Sequence, residues 1–150
     1  MHNPMRKNQL QHVFVLAVLL LSSSSFSAMC KNPVLKNTRW KAVREMFVAD
    51  AGTMTITHTL EFGRGKDVVL KEESFLPSHP AMYMNPDGTV DRIPASSSER
   101  SETGTYRFRR GILAIMTEDG HTQEYRLQPD GTFVREEPWG DTLVFSRSEE

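Results

Sequence analysis

The stretch Thr53-Met-Thr-Ile-Thr-His-Thr-Leu-Glu-Phe62 constrains the fold more than any other part of the chain. On an extended backbone, Met54, Ile56, His58, Leu60 and Phe62 fall on one side, and four threonines with Glu61 fall on the other. A helix would scatter those apolar residues around its axis. Period two in β-branched residues therefore predicts an antiparallel strand with one face buried and one wet.

The segments around it follow the same rhythm. Arg39–Val48 places Trp40, Ala42, Met46 and Val48 on one side. Further strands are expected at Val68–Leu76, Thr105–Arg109 (Tyr106 and Phe108 inward), Ile112–Thr117, His121–Leu127, Thr132–Arg135 and Thr142–Arg147. Between them lie Gly63-Arg-Gly-Lys66, Arg110-Gly111, Glu118-Asp-Gly120, Gln128-Pro-Asp-Gly131 and Pro138-Trp-Gly-Asp141. Proline presets φ, aspartate bonds its own backbone and glycine accepts positive φ, so these are turns with a mechanism. The pattern predicts an all-β domain: one antiparallel up-and-down meander of about eight strands, whose edges are best removed by curling into a barrel. Residues 77–102 break the rhythm with four prolines and Ser96-Ser-Ser98, and read as a long loop. Asn85-Pro-Asp-Gly88 inside it suggests a short extra hairpin with Met82–Met84 and Thr89–Arg92 as arms.

The first thirty residues carry a different message. Arg6 and Lys7 precede the apolar run Val13–Leu21, followed by Ser22–Ser27 and the single cysteine, Cys30. Nine apolar residues are too few to span a bilayer, and the three-part pattern is that of a secretory signal peptide over residues 1–27. Cleavage after Ser27 gives a soluble protein of the periplasm. Cys30 as first mature residue, lipidated, gives one anchored to the outer membrane, and both readings stand. Residues 28–37 are read as a polar tether and 38–148 as the folded domain. One cysteine permits no internal disulfide, so the fold rests on its core. Without the leader, 16 basic side chains face 19 acidic ones, a net charge of −3. That offers no footprint for nucleic acid and no basic patch for a membrane surface.

Several words of the sequence resemble a known group. Asn37-Thr-Arg-Trp-Lys-Ala-Val43 opens the domain, Thr59-Leu-Glu-Phe62 and Gly104-Thr-Tyr-Arg-Phe108 follow, and Leu143-Val-Phe-Ser-Arg147 closes it. In this order they resemble the lipocalin-like small β-barrel lipoproteins of the Gram-negative envelope, mostly of unknown function. The resemblance implies a calycin-type barrel in the cell envelope, with Trp40 plugging one end. The glycine usual before that tryptophan is replaced here by Thr38-Arg39.

Searching for chemistry yields little. The chain holds no Gly-x-Ser-x-Gly, no His-Glu-x-x-His and no phosphate-cradling glycine loop. It is read as non-enzymatic and without a cofactor. The leading expectation is a binding module holding a small apolar or amphipathic ligand in the barrel. Trp40, Met54, Ile56, His58, Leu60, Tyr106, Phe108 and Tyr125 would line it, with His58 or Tyr106 fixing the ligand's polar end. The main alternative is a solid-cored module that binds another envelope protein through residues 77–102. A third is a copper site of His79, Met82 and Met84, soft or borderline ligands suited to Cu(I).

Overall fold

The computed structural model describes residues 33–81 and 83–149. Among the described residues all regular structure is β. The strands are β1 (Arg39–Val48), β2 (Gly52–Phe62), β3 (Asp67–Leu76), β4 (His79–Pro80), β5 (Arg92–Ile93), β6 (Ser96–Arg109), β7 (Ile112–Thr117), β8 (Thr122–Leu127), β9 (Phe133–Glu136) and β10 (Thr142–Ser148). Eight of them form a closed antiparallel barrel in the order β1-β10-β9-β8-β7-β6-β3-β2, while β4 and β5 pair only with each other. The up-and-down meander read from the sequence is therefore present and closed.

Turn chemistry sets the corners. Arg110 and Gly111 both have positive φ, 53° and 79°, the paired left-handed geometry that matches strand twist in a two-residue hairpin. Three other turns use one device. Oδ1 of Asp87, Asp119 and Asp130 accepts the backbone N–H two residues on, from Thr89, His121 and Thr132. Gly104 serves a different purpose, because a Cβ there would stand 2.5 Å from the carbonyl oxygen of Met116 on β7. Its missing side chain lets β6 and β7 approach at the point where their pairing begins, Gly104↔Thr117.

The inward faces fill one end of the barrel. Trp40, Leu60, Phe62, Val68, Leu113, Ile115, Tyr125, Phe133 and Phe145 form one buried cluster with Leu35. Rings meet edge to face, Trp40 with Phe133 at 4.8 Å, Phe62 with Tyr106 at 4.9 Å and Tyr125 with Phe145 at 5.3 Å between centroids. Leu35 is held at this end by Thr38, whose hydroxyl donates to the Leu35 carbonyl and accepts from Nε1 of Trp40 at 2.9 Å. Leu35 thus belongs to the core rather than to the tether expected over 28–37. The outer face carries Lys41, Glu61, Lys71, Glu73, Arg107, Arg109, Glu124 and Arg126 at the alternate positions, with Glu61 paired to Arg39 and Lys71. A membrane-spanning barrel presents an apolar band there. Here the outer face mixes those charges with exposed Val43, Phe47, Phe75, Met116 and Val144, while the packed end inside is apolar.

The other end is uneven. β1, β2, β3 and β6 run to 10, 11, 10 and 14 residues, whereas β7 to β10 have 6, 6, 4 and 7. β1 pairs with β10 only through Lys41, and β6 pairs with β7 only from Gly104 onward. The remainder of the long strands forms a four-stranded sheet projecting beyond the ring. Met46, expected inside, lies on that projection and is exposed.

This projection corrects the reading of residues 77–102 as a loop. Ser96–Thr103 are strand, paired along β3 from Leu76↔Ser96 to Val69↔Thr103. They carry no hydrophobic alternation because one side faces solvent and the other faces a polar mouth. The true connection is 77–95. Its ladder is His79↔Ile93 and Pro80↔Arg92, not Met82–Met84 with Thr89–Arg92. The Asn85–Thr89 turn sits where it was expected, closed by Asn85 N–H to the Thr89 carbonyl at 2.7 Å.

Candidate functional site

Where the sealed ring gives way to the projecting sheet, the inner face stops being apolar. Leu60, Leu70 and Glu102 lie side by side across β2, β3 and β6, and the next inward row is His58, Glu72 and Arg100. Opposite them stand Gln123 and Tyr125 on β8, Arg135 on β9 and Phe145 on β10. These side chains, with Thr59 and Lys71, line an open pocket of about 130 Å³.

One wall is a hydrogen-bonded network. Nε of Arg135 donates to Oε1 of Glu137 at 2.8 Å, and Nη2 donates to the same oxygen. Nη1 donates to Oε1 of Gln123 at 2.6 Å and reaches the Tyr125 hydroxyl at 3.3 Å. That hydroxyl donates to Gln123 Oε1 at 2.8 Å, and the guanidinium lies 5.6 Å over the Tyr125 ring. Burial, against the pull of the Arg135 cation, raises the Tyr125 pKa, so the phenol stays protonated.

The facing wall is His58, only 8% exposed. Its Nδ1 lies 3.4 Å from Oε2 of Glu72. Burial is the largest influence on its pKa and lowers it. Arg135 and Arg44 push the same way, Glu72 and Glu137 oppose, and the net value is below 6.5. The imidazole is therefore neutral at pH 7. Nε2 is shut off from solvent and has no hydrogen-bond partner. Such an atom normally costs stability.

Of the residues expected to line a binding site, His58, Leu60 and Tyr125 do so. Trp40 is buried in the sealed end, and Tyr106 and Phe108 pack against that core. Tyr106 sends its hydroxyl to the Gly65 carbonyl at 3.3 Å. These three pack the barrel interior and do not line the cavity. Ile56 and half-buried Met54 lie farther along β2, outside the lining. The polar members, Glu72, Arg100, Glu102, Gln123 and Arg135, were missed. Their signal was parity: Arg135 and Gln123 each sit two residues from an inward aromatic, Phe133 and Tyr125.

His79 lies on β4, with Nδ1 3.1 Å from the Pro77 carbonyl oxygen, and Met84 is exposed beside the Asn85 turn. Met82 lies outside the described residues, as do the leader and Cys30.

The fold and site define a closed eight-stranded antiparallel barrel, packed at one end and holding a small charged cavity toward the other. No family model matches the chain, and no curated protein matches it. Among solved structures it is similar to a porin-like protein from Bacteroides uniformis, at 18% identity and a TM-score of 0.25. The match covers 73% of this chain and 40% of that one, so this chain spans about two fifths of that protein's length. At that TM-score the likeness carries no argument about role.

Proposed function

We propose that this protein is an exported, non-enzymatic, lipocalin-like binding module that takes a small amphipathic molecule at the mouth of its barrel. The observation that carries the reading is the cavity itself. The barrel packs its own interior with aromatic rings yet keeps one space where an apolar floor, Leu60, Leu70 and Phe145, meets convergent polar groups. Lipocalin-like kinship is supported by the meander order, the closed ring and Trp40 at the sealed end. Export, with an envelope location either free or anchored through Cys30, is supported by the leader pattern in residues 1–30. A large apolar ligand swallowed whole finds no support, because the rings meant to line its site fill the barrel instead.

Native mass spectrometry of the protein purified from its source envelope tests this. An added mass that departs on mild denaturation, and that is lost in a folded His58→Trp variant, is the expected result. A bare polypeptide mass refutes it. A covalent diacyl or triacyl increment establishes lipidation at Cys30.

A second reading, a partner-binding module working through 77–95, draws on the exposed Tyr83, Met84, Val90 and Ile93 clustered there. Shortening that segment would then abolish partner capture and leave the cavity adduct intact. The copper site of His79, Met82 and Met84 is tested by Met82→Ala with Met84→Ala, which should remove bound Cu(I) if the site exists.

A further inference from the structure

The open edge of β1 is a surface apart from the cavity. β1 pairs with β10 only through Lys41, and from Ala42 to Val48 no strand among the described residues pairs with that side of it. Its register with β2 is unbroken from Arg39↔Glu61 to Val48↔Gly52, and the Thr38 carbonyl just before it accepts the Phe62 N–H at 2.9 Å. Main-chain direction alternates along an antiparallel ladder. Even-numbered residues of β1 therefore bond β2, while Val43, Glu45 and Phe47 turn their N–H and C=O groups to the open side. The same three side chains stand exposed on the outer face. Sheet edges are ordinarily blunted by charges, lysine or proline. The other open edge of the projecting sheet, Ser96–Glu102 on β6, follows that rule with serines, Glu99, Arg100 and Glu102. β1 does not. Its outer face sets one acid between two exposed apolar side chains, with neither proline nor lysine from Ala42 to Val48.

We propose that the edge of β1 from Val43 to Phe47 receives an extended strand of another polypeptide, which continues the sheet by main-chain pairing. The incoming strand carries a basic side chain opposite Glu45, with apolar side chains two residues to either side, opposite Val43 and Phe47. Opposite charges directly across a ladder attract, and like charges repel. The inward Arg44 is already engaged, its guanidinium 5.4 Å over the Trp139 ring, so the choice of partner falls on the outer face. A second copy of this chain is the poorer occupant. Antiparallel self-pairing over 42–48 sets Glu45 against the second copy's Glu45. Sliding it by one rung sets Arg44 against Arg44, or leaves only 44–48 paired. This surface goes beyond the cavity reading and stands whether or not the cavity is filled.

The test uses the symmetric peptide Thr-Val-Thr-Lys-Thr-Val-Thr, acetylated and amidated, and its counterpart with glutamate in place of lysine. Each is titrated into the folded protein while ¹H–¹⁵N NMR follows the β1 amides. The lysine peptide should bind about tenfold more tightly, an attraction gained and a repulsion avoided, and should move the Val43, Glu45 and Phe47 resonances. Glu45→Lys should invert the preference. Glu45→Pro removes an N–H that β2 does not use, so the barrel should form while both peptides lose binding. The Glu45→Lys result stands even if the proline variant fails to fold. Binding of neither peptide to the wild-type protein overturns the proposal, and so do equal affinities or a preference that Glu45→Lys leaves unchanged. Sedimentation showing a dimer that Glu45→Pro dissolves makes a second copy the occupant and overturns it as well.

Discussion

Replacing Gly104 with alanine tests whether barrel closure depends on close approach of β6 and β7. The new Cβ would lie 2.5 Å from the Met116 carbonyl oxygen, 3.1 Å from its carbon and 3.2 Å from Cα of Thr117. All three are backbone atoms in a hydrogen-bonded strand, so no side chain can swing aside to make room. The two strands must separate by more than half an ångström at the first rung of their ladder. Gly104 does not have a positive φ, so the penalty is steric and not conformational. Overpacking of this kind costs about 1–3 kcal/mol, and the rigidity of the obstacle places it toward the upper end. The smaller backbone entropy of alanine in the unfolded chain returns about 0.5–1 kcal/mol. The net expectation is a loss of about 2 kcal/mol, or roughly 8–10 °C in thermal midpoint for a domain of this size. Urea unfolding followed by tryptophan fluorescence, alongside a thermal melt, gives both numbers. An unchanged or raised midpoint would mean that β6 and β7 do not approach as closely as described, and the argument for closure at Gly104 would fail.

Phe133→Ala removes a fully buried ring that meets Trp40 and Phe108 edge to face, and should cost about 4 kcal/mol in urea unfolding. Arg135→Met strands the Glu137 carboxylate in the barrel and should cost about 3 kcal/mol, most of it restored in the double variant with Glu137→Leu. A cost well under about 1 kcal/mol for the single variant would show the pair to be water-screened. The pH dependence of stability should show two windows. The folded His58 pKa lies below the unfolded value of 6.5, so the unfolded chain binds the proton first. Stability therefore declines as pH falls below 6.5, by at most about 1.4 kcal/mol per pH unit, and stops declining below the folded value. His58→Leu should flatten that window alone. Asp87, Asp119 and Asp130 have folded values below 3.8, through bonds from Thr89, Thr117 and Thr132. Their contribution is present above 3.8 and is lost only as pH falls through those lower values.

Much of the ring was legible because its inner and outer faces differ in polarity. β2 alternates from Met54 to Phe62, and the Asp-Gly turns carry their own chemistry, so strand order and number could be read directly. β6 shows where that logic stops. From Ser96 to Thr103 both faces are polar, and the residues pair along β3 without any hydrophobic period to announce it. The site failed for a related reason. Looking for apolar lining selected Trp40, Tyr106 and Phe108, the side chains that pack the ring shut. The groups that converge on the cavity come from six strands, and their meeting is a consequence of barrel closure that no local pattern records. Leu35 was hidden the other way, a lone leucine among polar residues that only the Thr38–Trp40 hydrogen bonds bring home.

The register explains how one set of strands serves two purposes. Along β2 the inward residues run Phe62, Leu60, His58; along β3, Val68, Leu70, Glu72; along β6, Tyr106, Gly104, Glu102, Arg100. Polarity rises from the sealed end to the mouth in all three, and the pairing aligns the change so that His58, Glu72 and Arg100 share one row. Glu72 stands in that row between an imidazole and a guanidinium, its carboxylate 3.4 Å from Nδ1 of His58. A slip of one residue in any strand would turn that row outward and turn residues such as Lys71 inward in its place. The polar row at the mouth is therefore held in register by the apolar rows beneath it. Substitutions at His58, Glu72 or Arg100 should change what the cavity accepts more than whether the barrel forms, and the reverse should hold for Phe62, Val68 and Phe133.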